Sequence, residues 1–149
     1  MFKFQKASDI EKLLSALESS ASFYSFLDRS CENPFLAKIY EHAVELRHSA
    51  GRSLQDYLFQ DAVNAVLRVD EHRIQRLRES YLLVMRMYTG DDIGRFAKEL
   101  IYTEKLLISL FASNLLVSRR SDLTVTLASI AKANRHFQLR IEAITTASI

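Results

Sequence analysis

The chain has 149 residues, of which 48% are hydrophobic and 26% charged, and its formal net charge at pH 7 is +2. That balance excludes a disordered chain, and it is too weakly basic for a nucleic-acid binder, whose footprint is a dense basic patch. One domain spanning 1–149, built on a single core, is the expectation for this length. Apolar runs such as Leu115 to Val117 fall far short of the roughly 20 residues that a bilayer span needs. The opening MFKFQKASDI lacks the apolar region of a signal peptide. No membrane contact is therefore expected, and a cytoplasmic location is. Cys31 is the single cysteine, so no disulfide framework or cysteine metal cluster is expected. Residues 1–67 carry seven Lys or Arg against nine Asp or Glu, and residues 68–149 carry thirteen against nine. A solvated helical surface accounts for that asymmetry, and head-to-tail association or an anionic partner would use it.

Three glycines, one proline and no alternating run of β-branched and polar residues predict an all-α fold. Ser8 or Asp9 caps a first helix that runs to about Ser30. Cys31-Glu32-Asn33-Pro34 makes the turn, with Pro34 suited to the first position of a second helix that reaches the region of Phe59. A third helical stretch presents Val63, Val66, Ile74, Leu77, Tyr81, Val84 and Tyr88, with a break expected near 59–62 or 68–70, and Thr89-Gly90 stops it. Asp91 or Asp92 starts a fourth helix that ends near Ser118. Arg119 to Asp122 turns the chain into a fifth helix, which continues almost to the end. The expected architecture is two αα-hairpins joined by a helical crossover of roughly 30 residues.

Within that frame Glu18 lies in ALESSASFY, Glu45 and His48 in ELRH, Glu104 in TEKLLISLF and His136 in ANRHF. A Glu on the first helix, Glu-x-x-His on the second and a Glu on the penultimate helix resemble the ferritin-like helical bundles, particularly the rubrerythrin-type and related bacterial domains. The resemblance implies a bundle whose inward carboxylates and imidazoles hold two iron or manganese ions, and it nominates Glu18, Glu45, His48, Glu104 and His136 as ligands. The set is incomplete, because Ala133 stands where the resemblance places the second Glu of a Glu-x-x-His pair.

Helical geometry sets a limit on that reading. At about 100° per residue, Leu36, Ile39, Ala43, Leu46, Ala50, Leu54 and Tyr57 fall within an arc of roughly 60°, and Glu45 and His48 point about 150° away from it. His136 lies about 130° from the stripe of Leu123, Leu127, Ile130, Phe137 and Ile141. Glu18 sits on a flank. Only Glu104 occupies the centre of its own apolar stripe, among Ala97, Leu100, Ile101, Ile108, Phe111 and Leu115. The expectation is therefore a degenerate metal site, with no cofactor bound, and with iron or manganese only if the ligands converge. With no Lys or Arg evident on the facing stripes, Glu104 is expected to hydrogen-bond to Asn134 or Tyr24, its pKa raised by desolvation.

Two further readings use other features. An outward His48 followed by Gly51 and Arg52 loosely echoes histidine phosphotransfer modules, without their lysine. Phe23, Phe26 and Leu27 on the first helix, and Leu106, Leu110 and Leu116 on the fourth, lie off the main stripes and call for a second burial surface. The crossover helix or a second copy supplies it, so a homo-oligomer or a protein partner is expected. No phosphate loop, nucleophile elbow or paired Cys/His spacing is present, so no enzyme class is indicated. His42 and His72 read as exposed, and Asn134 and Gln138 as hydrogen-bonding between helices.

Overall fold

Each well-formed helix start in this computed structural model, which describes residues 8–60, 67–88, 90, 92–115 and 121–147, rests on a side chain that satisfies backbone N–H groups otherwise left without partners. Ser8 accepts from the Glu11 amide and opens α1, Asp9–Ser30. Asn33 accepts from the amides of Phe35 and Leu36 and opens α2, Pro34–Gln55, with Pro34 at its first turn. Asp70 accepts from the His72 amide and opens α3, Glu71–Met87. A short 3₁₀ turn, Ile93–Arg95, precedes α4, Ala97–Leu115, and α5 covers Ser121–Ala147. All regular structure among the described residues is helical. None of the described helices is long and apolar enough to cross a membrane.

Two boundaries differ from the sequence expectation. The second helix ends at Gln55 rather than near Phe59, while the start of α3 at Glu71, after non-helical 67–70, meets the break expected near 68–70. Leu67 to Asp70 is non-helical because it is stitched to its neighbours through its backbone. Asn114 Oδ1 accepts from the Arg68 amide at 2.7 Å, Asn114 Nδ2 donates to the Arg68 carbonyl, and Lys12 Nζ donates to the Val69 carbonyl. Those bonds replace the ones a helix would have made. The fourth helix begins at Ala97, after the 3₁₀ turn, rather than at Asp91 or Asp92. Tyr88, in an extended conformation, caps the end of α3, and Gly90, with φ of 95°, takes a left-handed conformation beyond it. Val63, Val66, Thr89, Leu116 and the turn at 119–120 lie outside the described residues.

The core positions follow a 3-4 spacing in every long helix. Ile10, Leu13, Leu17, Ser20, Tyr24 and Leu27 are buried on α1; Leu36, Tyr40, Ala43, Arg47, Ala50 and Leu54 on α2; Leu123, Leu127, Ile130, Asn134, Phe137 and Ile141 on α5. Such a repeat keeps one seam facing the partner helix along its whole length. The two hairpins, α1 with α2 and α4 with α5, pack most extensively. Between them α3 packs on both α1 and α4, while α2 meets α5, so the helices close a ring in the order α1, α2, α5, α4, α3.

The expected crossover is thus a wall of the bundle rather than a connection laid over it. It covers the second apolar face that the sequence showed: Phe23, Leu27 and Leu110 are buried within the chain, Phe23 stacks on Tyr81 at 4.6 Å between ring centroids, and Phe26 meets Tyr88 at 5.8 Å. Phe23, Leu27 and Leu110 are thus accounted for within the chain, and Phe26 and Leu106 are partly buried against the core.

Candidate functional site

The largest fully buried side chain is Arg47. It projects from α2 into the interior and meets Glu104 from α4, and the side chains of both have zero exposure. Arg47 Nη2 donates to Glu104 Oε2, and Tyr24 Oη donates to Glu104 Oε1. Arg47 Nε donates to Ser20 Oγ at 2.9 Å, and Tyr81 Oη donates to the same oxygen at 2.7 Å. Five residues from four helices thus form one connected network. Aromatic rings wall it: the guanidinium carbon lies 5.2 Å from the Phe137 centroid and 5.6 Å from that of Tyr24, distances at which a cation is attracted to a ring face. Phe137 in turn meets Tyr24 edge-on at 5.4 Å.

The electrostatics follow from burial. Desolvation pushes the Glu104 carboxyl above the ordinary carboxylate range, against the opposing pull of Arg47 and of the Tyr24 hydroxyl. Desolvation is the largest single influence on Arg47 and works against its charge, but Glu104, Tyr81 and Tyr24 together outweigh it and hold the guanidinium above its ordinary value. Tyr24 and Tyr81 are both raised, first by burial and then by the nearby Glu104 charge, so both phenols stay protonated donors. Arg47, Glu104 and Tyr24 are sealed from solvent, and a catalytic group must touch its substrate. The network is chemistry closed inside the bundle.

The ligands nominated by sequence do not come together. Glu18, Glu45, His48 and His136 are exposed, and only Glu104 is interior. Glu45 and His48 lie on the outer face of α2, as the helical geometry predicted. Glu18 lines a groove between α1 and α3 with Arg78 and Ser15. Among the described residues no three His, Cys, Asp or Glu side chains are grouped so as to hold a metal ion. Both Glu104 oxygens already accept from protein donors, so the one inward carboxylate is engaged by an organic cation. The donor set does not fit an iron or manganese pair, which needs several converging carboxylates and imidazoles.

One expectation about Glu104 is corrected, since a cation, Arg47, does pair with it. Of the two hydrogen-bond partners expected, Asn134 donates through Nδ2 to the Ile130 carbonyl of its own helix at 2.7 Å instead. Tyr24 is the hydrogen-bond donor, as expected. Arg47 is the residue that sequence reasoning missed. Its signal was the spacing Leu36, Tyr40, Ala43, Arg47, Ala50, Leu54, an unbroken 3-4 repeat in which a charged residue takes a core position. His42, His48 and His72 are exposed as expected, and Gln138 is buried. Gly51, part of the phosphotransfer echo, lies inside α2. Comparison with protein-family models, with curated proteins and with solved structures gives no match.

Proposed function

We propose that this chain is a ferritin-like helical bundle without a working di-metal centre, acting through association with a second copy or a protein partner rather than through catalysis. The observation that carries this reading is the engagement of Glu104 by Arg47 and Tyr24 at zero exposure, while the four other nominated ligands face outward. With the interior committed to an internal ion pair, the outer faces are left to do the work. The adjacent Leu82 and Leu83 on α3, 51% and 44% exposed, are the apolar pair that an association surface would use.

The test has two arms. Protein purified without chelators should contain well under one iron or manganese per chain, and light scattering should give a mass above that of one chain which falls when Leu82 and Leu83 are both changed to Ser. Two metals per chain, lost on Glu104→Gln, would instead make this a metalloprotein. A single-chain mass at high micromolar concentration, unaffected by the leucine changes, would remove the self-association.

A further inference from the structure

The ring of helices is least tightly closed where α2 meets α5, and two adjoining cavities open along that seam. One, of about 420 Å³, is bordered by His42, Lys132, His136 and Arg140 around the ring of Phe137. The other, of about 340 Å³, shares Leu46, Ser129 and Ala133 with it and extends to Asn134.

Three independent features of this seam point to a ligand. The first is charge. Lys132, His136 and Arg140 follow one another at intervals of four on α5, so they form a single exposed rim, with His42 opposite on α2. Among the described residues no Asp or Glu lines either cavity. The acids of α5 are Asp122 and Glu142, and the Glu142 carboxylate is drawn 3.9 Å from Lys105 on α4, away from the seam.

The second feature is an aromatic platform. Phe137 is only 2% exposed, held from behind by Arg47, and its centroid lies 6.5 Å from the His42 ring. The third is an unpartnered polar atom. Asn134 is 1% exposed, its amide nitrogen is used within α5, and its Oδ1 accepts no hydrogen bond. A buried carbonyl oxygen without a donor is uncommon in native proteins and calls for a partner.

We infer that the α2/α5 seam binds a small organic phosphate. The phosphate sits among His42, Lys132, His136 and Arg140, a planar body lies against Phe137, and an N–H or O–H of the ligand donates to Asn134 Oδ1. Phosphate fits better than a single carboxylate, because it brings nearly two negative charges and three acceptor oxygens to four donor side chains. The seam adjoins the Arg47 and Glu104 network through Phe137 and needs no association between chains, so it stands whether or not the bundle oligomerises.

Calorimetric titration of the full chain at low salt with 4-aminophenyl phosphate, phenyl phosphate and inorganic phosphate tests this. The amino compound should bind at least tenfold more tightly than inorganic phosphate, and measurably more tightly than phenyl phosphate, which lacks the donor for Asn134. Changing Lys132 and Arg140 together to Glu should weaken it at least tenfold. Both side chains are exposed, so the far-ultraviolet spectrum and melting temperature of that variant should match wild type. Arg78→Glu, in the groove between α1 and α3, should leave the affinity within twofold. Equal affinity for the amino compound and inorganic phosphate would overturn the inference, as would an unaltered affinity in the double charge reversal. Binding to phosphatidic-acid vesicles without binding of 4-aminophenyl phosphate would assign the basic rim to a lipid headgroup and also overturn it.

Discussion

The buried pair of Arg47 and Glu104 makes a quantitative prediction that separates two ways in which such a pair can matter. Glu104→Leu leaves the guanidinium without a counter-charge at zero exposure, with Ser20 Oγ as its remaining acceptor, and breaking a buried pair from one side costs about 3–5 kcal/mol. It also strands the Tyr24 hydroxyl, a loss of about 1–3 kcal/mol for an unsatisfied buried donor. Arg47→Met leaves the carboxylate with Tyr24 alone. Burial already holds Glu104 above the ordinary carboxylate range against the pull of Arg47, so removing Arg47 raises it further. A carboxyl whose folded pKa exceeds its unfolded value of about 4.3 contributes stability fully below that value and loses it as pH rises through the folded pKa. The penalty of Arg47→Met should therefore grow from pH 4 to pH 8, toward about 3–5 kcal/mol. The double variant, Arg47→Met with Glu104→Leu, replaces the pair by apolar side chains and should lie within about 2 kcal/mol of wild type. Urea denaturation followed by far-ultraviolet circular dichroism at pH 4, 6 and 8 reads all three. If the double variant loses the sum of the single losses at pH 8, the two residues are not coupled and the reasoning fails.

Glu104→Gln removes the titration while keeping the shape, so its stability relative to wild type should improve from pH 4.5 to pH 8, because only the wild type loses stability as pH passes through the raised pKa; an unchanged gap in paired thermal melts would contradict this. Gly51→Ala should stabilise by about 0.5–1 kcal/mol in urea titrations, since the residue lies inside α2 and an added Cβ meets only Leu14 Cδ2 at 3.9 Å. Glu45→Ala and His48→Ala, both on the wet face of α2, should each stay within about 0.5 kcal/mol of wild type by the same measurement. Asn114→Ala should cost about 1–3 kcal/mol and speed proteolysis between Leu67 and Asp70, because it leaves the Arg68 amide without its side-chain acceptor; unchanged cleavage there would show that Asn114 does not hold the segment.

The helices were legible in the sequence because their signals are local. Asn33 as cap and Pro34 in the first turn mark the start of α2 within a few residues, and the outward placement of Glu45 and His48 follows from helical spacing alone. The role of α3 was less legible: its apolar stripe predicted a helix, but whether Phe23 and Leu110 are covered by that helix or by a second copy depends on packing between segments distant in sequence. Asn114 shows the same limit from the other side. Nothing local marks it as a clasp for the Arg68 backbone, 46 residues away, and so the sequence left the break open between 59–62 and 68–70. Arg47 was missed for a different reason. Its 3-4 spacing put it in the core, yet an arginine is rarely buried without a partner, and choosing Leu46 for the stripe removed it from view. Glu104 carried the complementary anomaly, a carboxylate centred on an apolar face. Each residue alone contradicts the rule that charges stay outside. Together they satisfy it, since a buried charge is admissible when its counter-charge is buried with it. Two charged residues at core positions of different helices are thus better read as candidates for each other than as two exceptions. Pairing them brings the interior faces of α2 and α4 together and sets Glu104 apart from metal ligands, because a carboxylate already matched by a guanidinium has no charge left to offer a cation.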